Sequence, residues 1–513
     1  MLKPSDLVEA MVNEDHFSLL SGGLSEDETQ AALLQFWRHY SRQFGDHDIF
    51  QHRLPPEQAL RRTIPIYLHG DEGKHFKRSG IMIVTLQAVL GSGPEPYHLN
   101  KKVVSPRESV QRQALNIGGH SFLSRFLVLS IPRRFYAMQS EIYLTMFERM
   151  IADLKTLERD GFQHKGQTWL LQTLGLKGDL PFMTKTASLE RHFLRAARKE
   201  DAKRATNPSG MCWLCHAGQV NIPYEDFKDS ARWAHEPTTP PWRSTPSFLE
   251  LKHMPKRPEQ FLKLDLWHCF HGGVGMDFAA SSIVEIMQKL LPRMHMKEKC
   301  KEVDRRLRLW VKRGNPKPHS GWFLPERISL TSYQVCPDAA WSKFDDTRIY
   351  LLFIQDLLES ESDVSDEELL RVLAACKAVN ESMSILFRAG LWLTAEQART
   401  AGQLGRQFLW EYQALAVSAF KEGRQRFPLH QKTHYLDHIW RNLLLMSKRI
   451  PYVLNPLSES NQMDEDFIGA IARVAIRTSP VSAALRSLQR YSVRAKQIWS
   501  RGPRQKPQKR RKL

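Results

Sequence analysis

Long apolar runs are the first thing missing from this chain. No stretch of 18 or more apolar residues occurs in its 513 residues, so a membrane-spanning helix of about 20 residues is not expected. The opening Met1-Leu-Lys-Pro-Ser-Asp6 meets charge at once instead of an apolar signal core, and the chain reads as a soluble intracellular protein. Cysteine is scarce too. Six are present and only Cys212 and Cys215 lie close together, which argues against a disulfide scaffold and leaves one candidate metal pair. No internal repeat is found. The glycines lack both Walker A and dinucleotide-binding spacing. Acids are outnumbered, 55 Asp and Glu against 74 Lys and Arg, for a net charge of +19 and a pI near 9.6. Such a balance is expected of a protein that meets a polyanion, nucleic acid first among them. With 42% hydrophobic and 25% charged residues the composition is globular, and the length predicts roughly two to four structural units.

One stretch organises the rest. Ile64-Pro-Ile-Tyr-Leu-His-Gly-Asp71 is an apolar, β-branched and aromatic run stopped by Gly70 and an acid, and it predicts a buried strand from Ile64 to Leu68 that presents Asp71 in a turn. A second strand is expected over Ile81–Leu90, after a hairpin carrying Lys74, Lys77 and Arg78, and a third over Ser121–Ile131, stopped by Pro132. From Glu141 to Arg159, Tyr143, Phe147, Met150, Leu154 and Leu157 recur at helical spacing, opposite a charged face. Thr168–Leu176 then predicts a fourth strand delivering Asp179 into a turn, Lys177-Gly178-Asp179-Leu180-Pro181, and Leu189–Lys203 a basic helix. This β-β-β-α-β-α order is that of an RNase H-like mixed sheet. In such a sheet the first and fourth strands are neighbours, so Asp71 and Asp179 would sit side by side and share divalent cations able to clamp a phosphodiester.

The remaining half predicts helices with long loops. Cys212-Trp-Leu-Cys215 offers two thiolates to one zinc and needs two more ligands. His434 and His438, one helical turn apart, are the best distant candidates, with His216 a local alternative. A Pro-rich part over 236–246 excludes regular structure there. Asp265 and His268 are spaced to share a helical face, the acid orienting the imidazole. Just beyond them His271-Gly-Gly-Val-Gly275 suggests close backbone approach. Basic Lys297–Lys317 and further helices over Ile349–Leu358, Glu367–Phe387, Ala395–Phe420 and His434–Lys448 follow. Late in the chain Glu459, Asp464, Glu465 and Asp466 precede an apolar stripe of Phe467, Ile468, Ile471, Val474 and Ala475. Glu465 is preferred over Glu459 as a third carboxylate returning to the sheet, with Asp464 and Asp466 pointing elsewhere on that helix.

Taken in order, Asp71, the Gly-Asp-Leu-Pro turn at Asp179, Cys-x2-Cys, Asp-x2-His, His-x3-His and a late Glu resemble the DDE transposases of cut-and-paste DNA transposons, most closely the branch with the Kyakuja–Dileera–Zisupton and CACTA-type enzymes. The resemblance covers about Ile64 to Tyr491. It implies that Asp71, Asp179 and Glu465 hold Mg2+ or Mn2+, that Cys212, Cys215, His434 and His438 hold zinc, and that Asp265 and His268 form the pair found after the second aspartate. It also implies DNA as partner; the basic excess and the tail cluster Lys509-Arg-Arg-Lys512 predict nuclear location, the lack of long apolar runs predicts no membrane, and self-association is left open. An N-terminal DNA-binding domain of the kind found in full-length relatives is not evident. The organisation expected is a helical segment over 1–60, the first part of the core over 61–206, a zinc-binding and helical insertion over 207–450, a helix completing the core over 451–493 and a disordered basic tail over 494–513. Two other functions fit the same residues: a non-catalytic nucleic-acid-binding derivative, and an RNase H-like nuclease unrelated to transposition.

Overall fold

The computed structural model describes residues 1–513 except 52–56, 75–79, 92–112, 138–139, 198–207, 237, 322, 324–327, 330–334, 340, 342–343, 362–363, 477, 480–481 and 502–513. Lys77, Arg78 and the tail after Arg501 therefore lie outside the described residues.

Helices α1 (Pro4–Asn13) and α2 (Glu26–Gln43) come first. The second starts at a capping box in which Ser25 and Glu28 satisfy each other's backbone N–H groups. The sheet follows: β1 (Thr63–Lys74), β2 (Gly80–Ala88), β3 (Arg125–Pro132), helix α3 (Ser140–Arg159), the short β4 (Phe162–His164), and β5 (Gln167–Gly178), which leads into helix α4 (Leu180–Thr186). The strand order is β3-β2-β1-β5-β4. β1 and β2 are antiparallel, as are β2 and β3, whereas β1 and β5 run parallel. The molecule is thus mixed α/β, with a five-stranded mixed sheet and a large helical part.

Every residue of β2 and β3 is buried, because helices cover both faces. Alternation divides the side chains between two cores. Met82, Val84, Phe126 and Val128 join the large core towards α3, while Ile81, Ile83 and Leu127 meet the last two helices, α11 (Gln462–Ile476) and α12 (Ala483–Trp499).

Between α4 and α11 lies the helical part. An irregular segment carries the two cysteines; a π-helical segment over Trp267–Val274, kinked where Gly272 and Gly273 leave helical geometry, then feeds α5 (Gly275–Leu290). After it come α6 (Met296–Lys312), α7 (Asp345–Ser360), α8 (Glu367–Arg388), α9 (Ala395–Lys421) and α10 (Gln431–Ser447), with a small ribbon of β6 (Trp392–Thr394) and β7 (Tyr452–Leu454).

Four expectations need correcting. β1 does not stop at Leu68: it stays paired with β2 through Asp71↔Ile83 and on to Lys74, so Asp71 stands within a strand and not in a turn. Gly70 is there for another reason, since a Cβ at this position would come 2.2 Å from the Phe182 ring. The fourth strand is preceded by a hairpin partner, β4, that apolar runs did not reveal, because His164 and Gln163 carry no strand pattern. Residues 189–197 of the expected basic helix Leu189–Lys203 are not helical. Leu189 instead makes a bridge with Trp242, and Glu190 N–H and Arg191 N–H both donate to Pro241 O. Finally, α12 continues to Trp499, past the expected start of the tail at 494.

Candidate functional site

The parallel pairing of β1 with β5 sets Gly70 opposite Gly178. Asp71 follows on β1 and Asp179 comes just past the end of β5, near enough for the Asp71 charge to act on Asp179. Asp179 is also the N-cap of α4, where Phe182 N–H donates to its Oδ1 at 2.7 Å. Burial, and then the Asp71 charge, raise its pKa well above the usual carboxylate range. Glu465, in the first turn of α11, comes to the same place. Burial and the Asp71 charge, with a hydrogen bond to Asp71, raise it as well.

His268 faces these acids from the π-helical turn, its Nε2 at 3.4 Å from Glu465 Oε1. On its other side Nδ1 bonds Asp265. Asp265 is itself fixed by accepting from Trp267 N–H at 2.8 Å and Asn461 N–H at 3.1 Å. Against burial, which lowers it, the Asp265 charge and hydrogen bond, then Glu465 and Asp71, lift His268 to about 9. The imidazole is a cation at neutral pH. The glycines after it do allow close approach: a Cβ on Gly272 would stand 2.5 Å from Phe344, and one on Gly273 2.5 Å from Lys432. Thus Asp71, Asp179, Asp265, His268 and Glu465, spread over most of the sequence, are brought to one end of the sheet. Three carboxyl groups meet there, two of them with raised pKa, facing the His268 imidazole.

Beneath the acids lies a buried cluster that motif reading missed. Asp464, adjacent to Glu465 but directed into the sheet, is clamped by Lys177 at 3.1 Å and Arg125 at 3.3 Å, all three side chains inaccessible to solvent. Lys177 also donates to Gln87 Oε1 at 2.6 Å and Ser460 O at 2.9 Å. Arg125 donates to Asn116 Oδ1 at 2.6 Å and Asn116 O at 2.7 Å. His69, two residues before Asp71, is fully buried, and burial lowers its pKa. Lysine and arginine inside apolar strands were the available signal. Asp466 lies at the surface and accepts from Ser121 Oγ at 2.7 Å. Glu459 sits apart, 3.6 Å from Lys263.

Cys212, Cys215, His434 and His438 form a second centre. Their ligand atoms all lie within 4.8 Å of one another, the one such group of His, Cys, Asp or Glu among the described residues; the three acids are not gathered that tightly. The thiols approach the imidazoles at 3.2 to 3.5 Å (Cys215 Sγ to His434 Nε2 and Cys212 Sγ to His438 Nε2). Tetrahedral zinc with Zn–S about 2.3 Å and Zn–N about 2.0–2.1 Å requires an S to N edge of about 3.5 Å. The cluster can therefore hold a metal ion such as zinc. Leu214 N–H and Ala217 N–H donate to the two sulfurs at 3.3 and 3.4 Å, which favours thiolates. Arg191 donates to Cys212 O at 3.1 Å and Trp213 O at 3.3 Å, and Trp233 covers both imidazoles. Between the histidines on α10, Asp437 is held by Arg406 and Arg441. His216 is outside this group and pairs with Gln219.

No protein-family model matches the chain, and no curated protein matches its sequence. Among the described residues, no helix is long and apolar enough to cross a membrane.

Proposed function

We propose that this protein is an RNase H-like polynucleotidyl transferase of the DDE transposase type, which cuts and joins DNA strands with a divalent metal. The observation that carries this reading is the convergence of Asp71, within β1, and Asp179, just past the neighbouring parallel β5, with Glu465 from a late helix. The strand order and the excess of basic charge support it. The carboxyl groups of Asp71, Asp179 and Glu465 are oxygen donors of the kind Mg2+ or Mn2+ takes, and either ion when bound would lower the pKa of the attacking oxygen and neutralise charge on the leaving one. The residues divide the remaining work. Asp71 and Asp179 are held in register by the sheet, Asp179 further by its cap on α4. Asp265 orients His268, whose cationic Nε2 edge offers a hydrogen bond to a phosphate oxygen. In hydrolysis the water oxygen forms a new bond to phosphorus as the P–O3′ bond breaks, and the proton of water ends on the 3′ oxygen. Attack by that 3′-hydroxyl on a second phosphodiester gives strand transfer, one P–O bond exchanged for another. The Cys212, Cys215, His434, His438 centre is a structural zinc site in this reading.

The test is nicking of plasmid DNA in Mg2+ or Mn2+ by the wild type, Asp71→Asn and Glu465→Gln. Cleavage by the wild type, lost by on the order of a hundredfold or more in both variants while DNA binding persists, is expected. Cleavage retained in Glu465→Gln would reject the third carboxylate. Binding without cleavage by the wild type would favour a non-catalytic derivative, and cleavage without strand-transfer products a nuclease.

A further inference from the structure

After Asp466 the sequence contains no further acid. Thirteen Lys and Arg, against no Asp or Glu, occupy Phe467 to Leu513. In the described part of this stretch the charges are arranged. Arg486, Arg490 and Arg494 follow one another at four-residue spacing on α12 and are all exposed, so they form a stripe about 12 Å long on one face. Arg490 Nη1 donates to Val474 O at 3.2 Å, which brings the stripe beside Arg473, exposed on α11. Among the described residues none of these four arginines has a carboxylate partner, whereas Lys496, on another face of α12, is paired with Glu14 at 2.6 Å. Arg494 is held over the Phe122 ring at 5.1 Å, a fixed position and not a free one. Along α11, Glu465, Gly469 and Arg473 follow at the same spacing; Gly469 raises no side chain, and Arg473 Nη1 leans back over it, 3.6 Å from where a Cβ would stand. Glu465 and Arg473 are about 12 Å apart along the axis, which is three to four nucleotide steps at about 3.4 Å per step.

We infer that Arg473, Arg486, Arg490 and Arg494 form a track for the phosphate backbone of DNA leading away from the acid cluster, so that α11 supplies both the third carboxylate and the first contact to the flanking strand. The inference rests on the proposed function and assigns the surface that positions the substrate. An acid-free face is complementary to any polyanion; the direct path to a cluster suited to phosphodiester chemistry favours nucleic acid over an anionic membrane. Such contacts fix register without reading sequence.

The test uses the full chain and a labelled DNA duplex of about 30 base pairs, with affinity followed by fluorescence anisotropy across a NaCl series. Each lost phosphate contact lowers the slope of log K against log salt by about 0.9, so Arg486→Ala, Arg490→Ala and Arg494→Ala combined should reduce it by about 2 to 3 and weaken binding at least tenfold at low salt. The triple lysine variant, which keeps the charge, should restore the slope. Lys297→Ala, Lys301→Ala and Lys312→Ala together, on α6, should leave it unchanged. A wild-type slope in the triple alanine variant, an equal loss in the α6 variant, or binding of the wild type to phosphatidylserine vesicles but not to DNA would overturn the inference. Asp71→Asn should bind with the wild-type slope. A failure of cleavage with the arginine dependence intact would thus count against the catalytic reading and for the track.

Discussion

Asp464 and Glu465 are adjacent and have opposite surroundings. One hundred degrees of helical rotation separate them, which turns Asp464 onto Lys177 and Arg125 and Glu465 onto Asp71. Burial alone would raise Asp464, but the two cations hold it far below the usual carboxylate range. A group lowered in this way contributes stability above its unfolded pKa of about 4, and that stability is lost as pH falls through the folded value. At neutral pH the contribution is complete. Asp464→Ala leaves two cations buried and unpaired, so a loss of about 3–5 kcal/mol is expected in urea unfolding at pH 7. A loss under 1 kcal/mol would show that the clamp carries no net weight. The apolar stripe of Phe467, Ile468 and Ile471 was enough to read a helix here and to set Glu465 at its edge. It could not show that Asp464 is interior, because its partners come from strands far away in sequence and a carboxylate opening a helix has an ordinary explanation in the helix dipole.

Elements were legible where periodicity carried them and illegible where contacts did. The helix at α3 and the strands β1, β2, β3 and β5 follow from spacing and apolar runs; the end of β1 does not, because Gly70 and Asp71 look like a stop. What keeps the strand going is tertiary: β2 pairs on beyond them, and Phe182 at the start of α4 takes the space a side chain would fill. Gly70→Ala is accordingly expected to cost about 1–3 kcal/mol by overpacking and to displace the α4 N-terminus, and with it the Asp179 cap. Thermal unfolding and the metal dependence of nicking check both parts. Stability and nicking equal to the wild type would show that the ring can move aside. The Cys212 to His438 centre was readable from Cys-x2-Cys and His-x3-His spacing, whereas the Arg191 and Trp233 contacts that hold it depend on loop paths that no local pattern encodes.

Among the described residues one large core runs from sheet residues such as Leu68 and Leu176 to Cys212, Cys215 and Tyr435 at the Cys–His cluster. Tyr435 hydroxyl donates to Met211 O at 2.8 Å and ties the cysteine segment to α10. Metal binding should therefore stabilise the whole molecule and not a detachable finger. Metal analysis of the wild type should find about one zinc per chain, absent when Cys212→Ser and Cys215→Ser are combined, and the main thermal transition should fall by on the order of 5 °C or more. Equal zinc in both proteins would reject the site; zinc lost with an unchanged transition would make it peripheral.

The distance in sequence between Asp71 and Glu465 also sets a schedule for biosynthesis. At roughly 5–20 residues per second, a ribosome that has made the first acid needs roughly 20 to 80 s to reach the last. The nascent chain can pair β1, β2, β3 and β5 long before α11 exists, so Ile81, Ile83 and Leu127 wait with one face of the sheet uncovered until Phe467, Ile468 and Ile471 arrive. The same event that buries that face brings in Glu465. A growing chain thus cannot bring Asp71, Asp179 and Glu465 together before its own folding is nearly over.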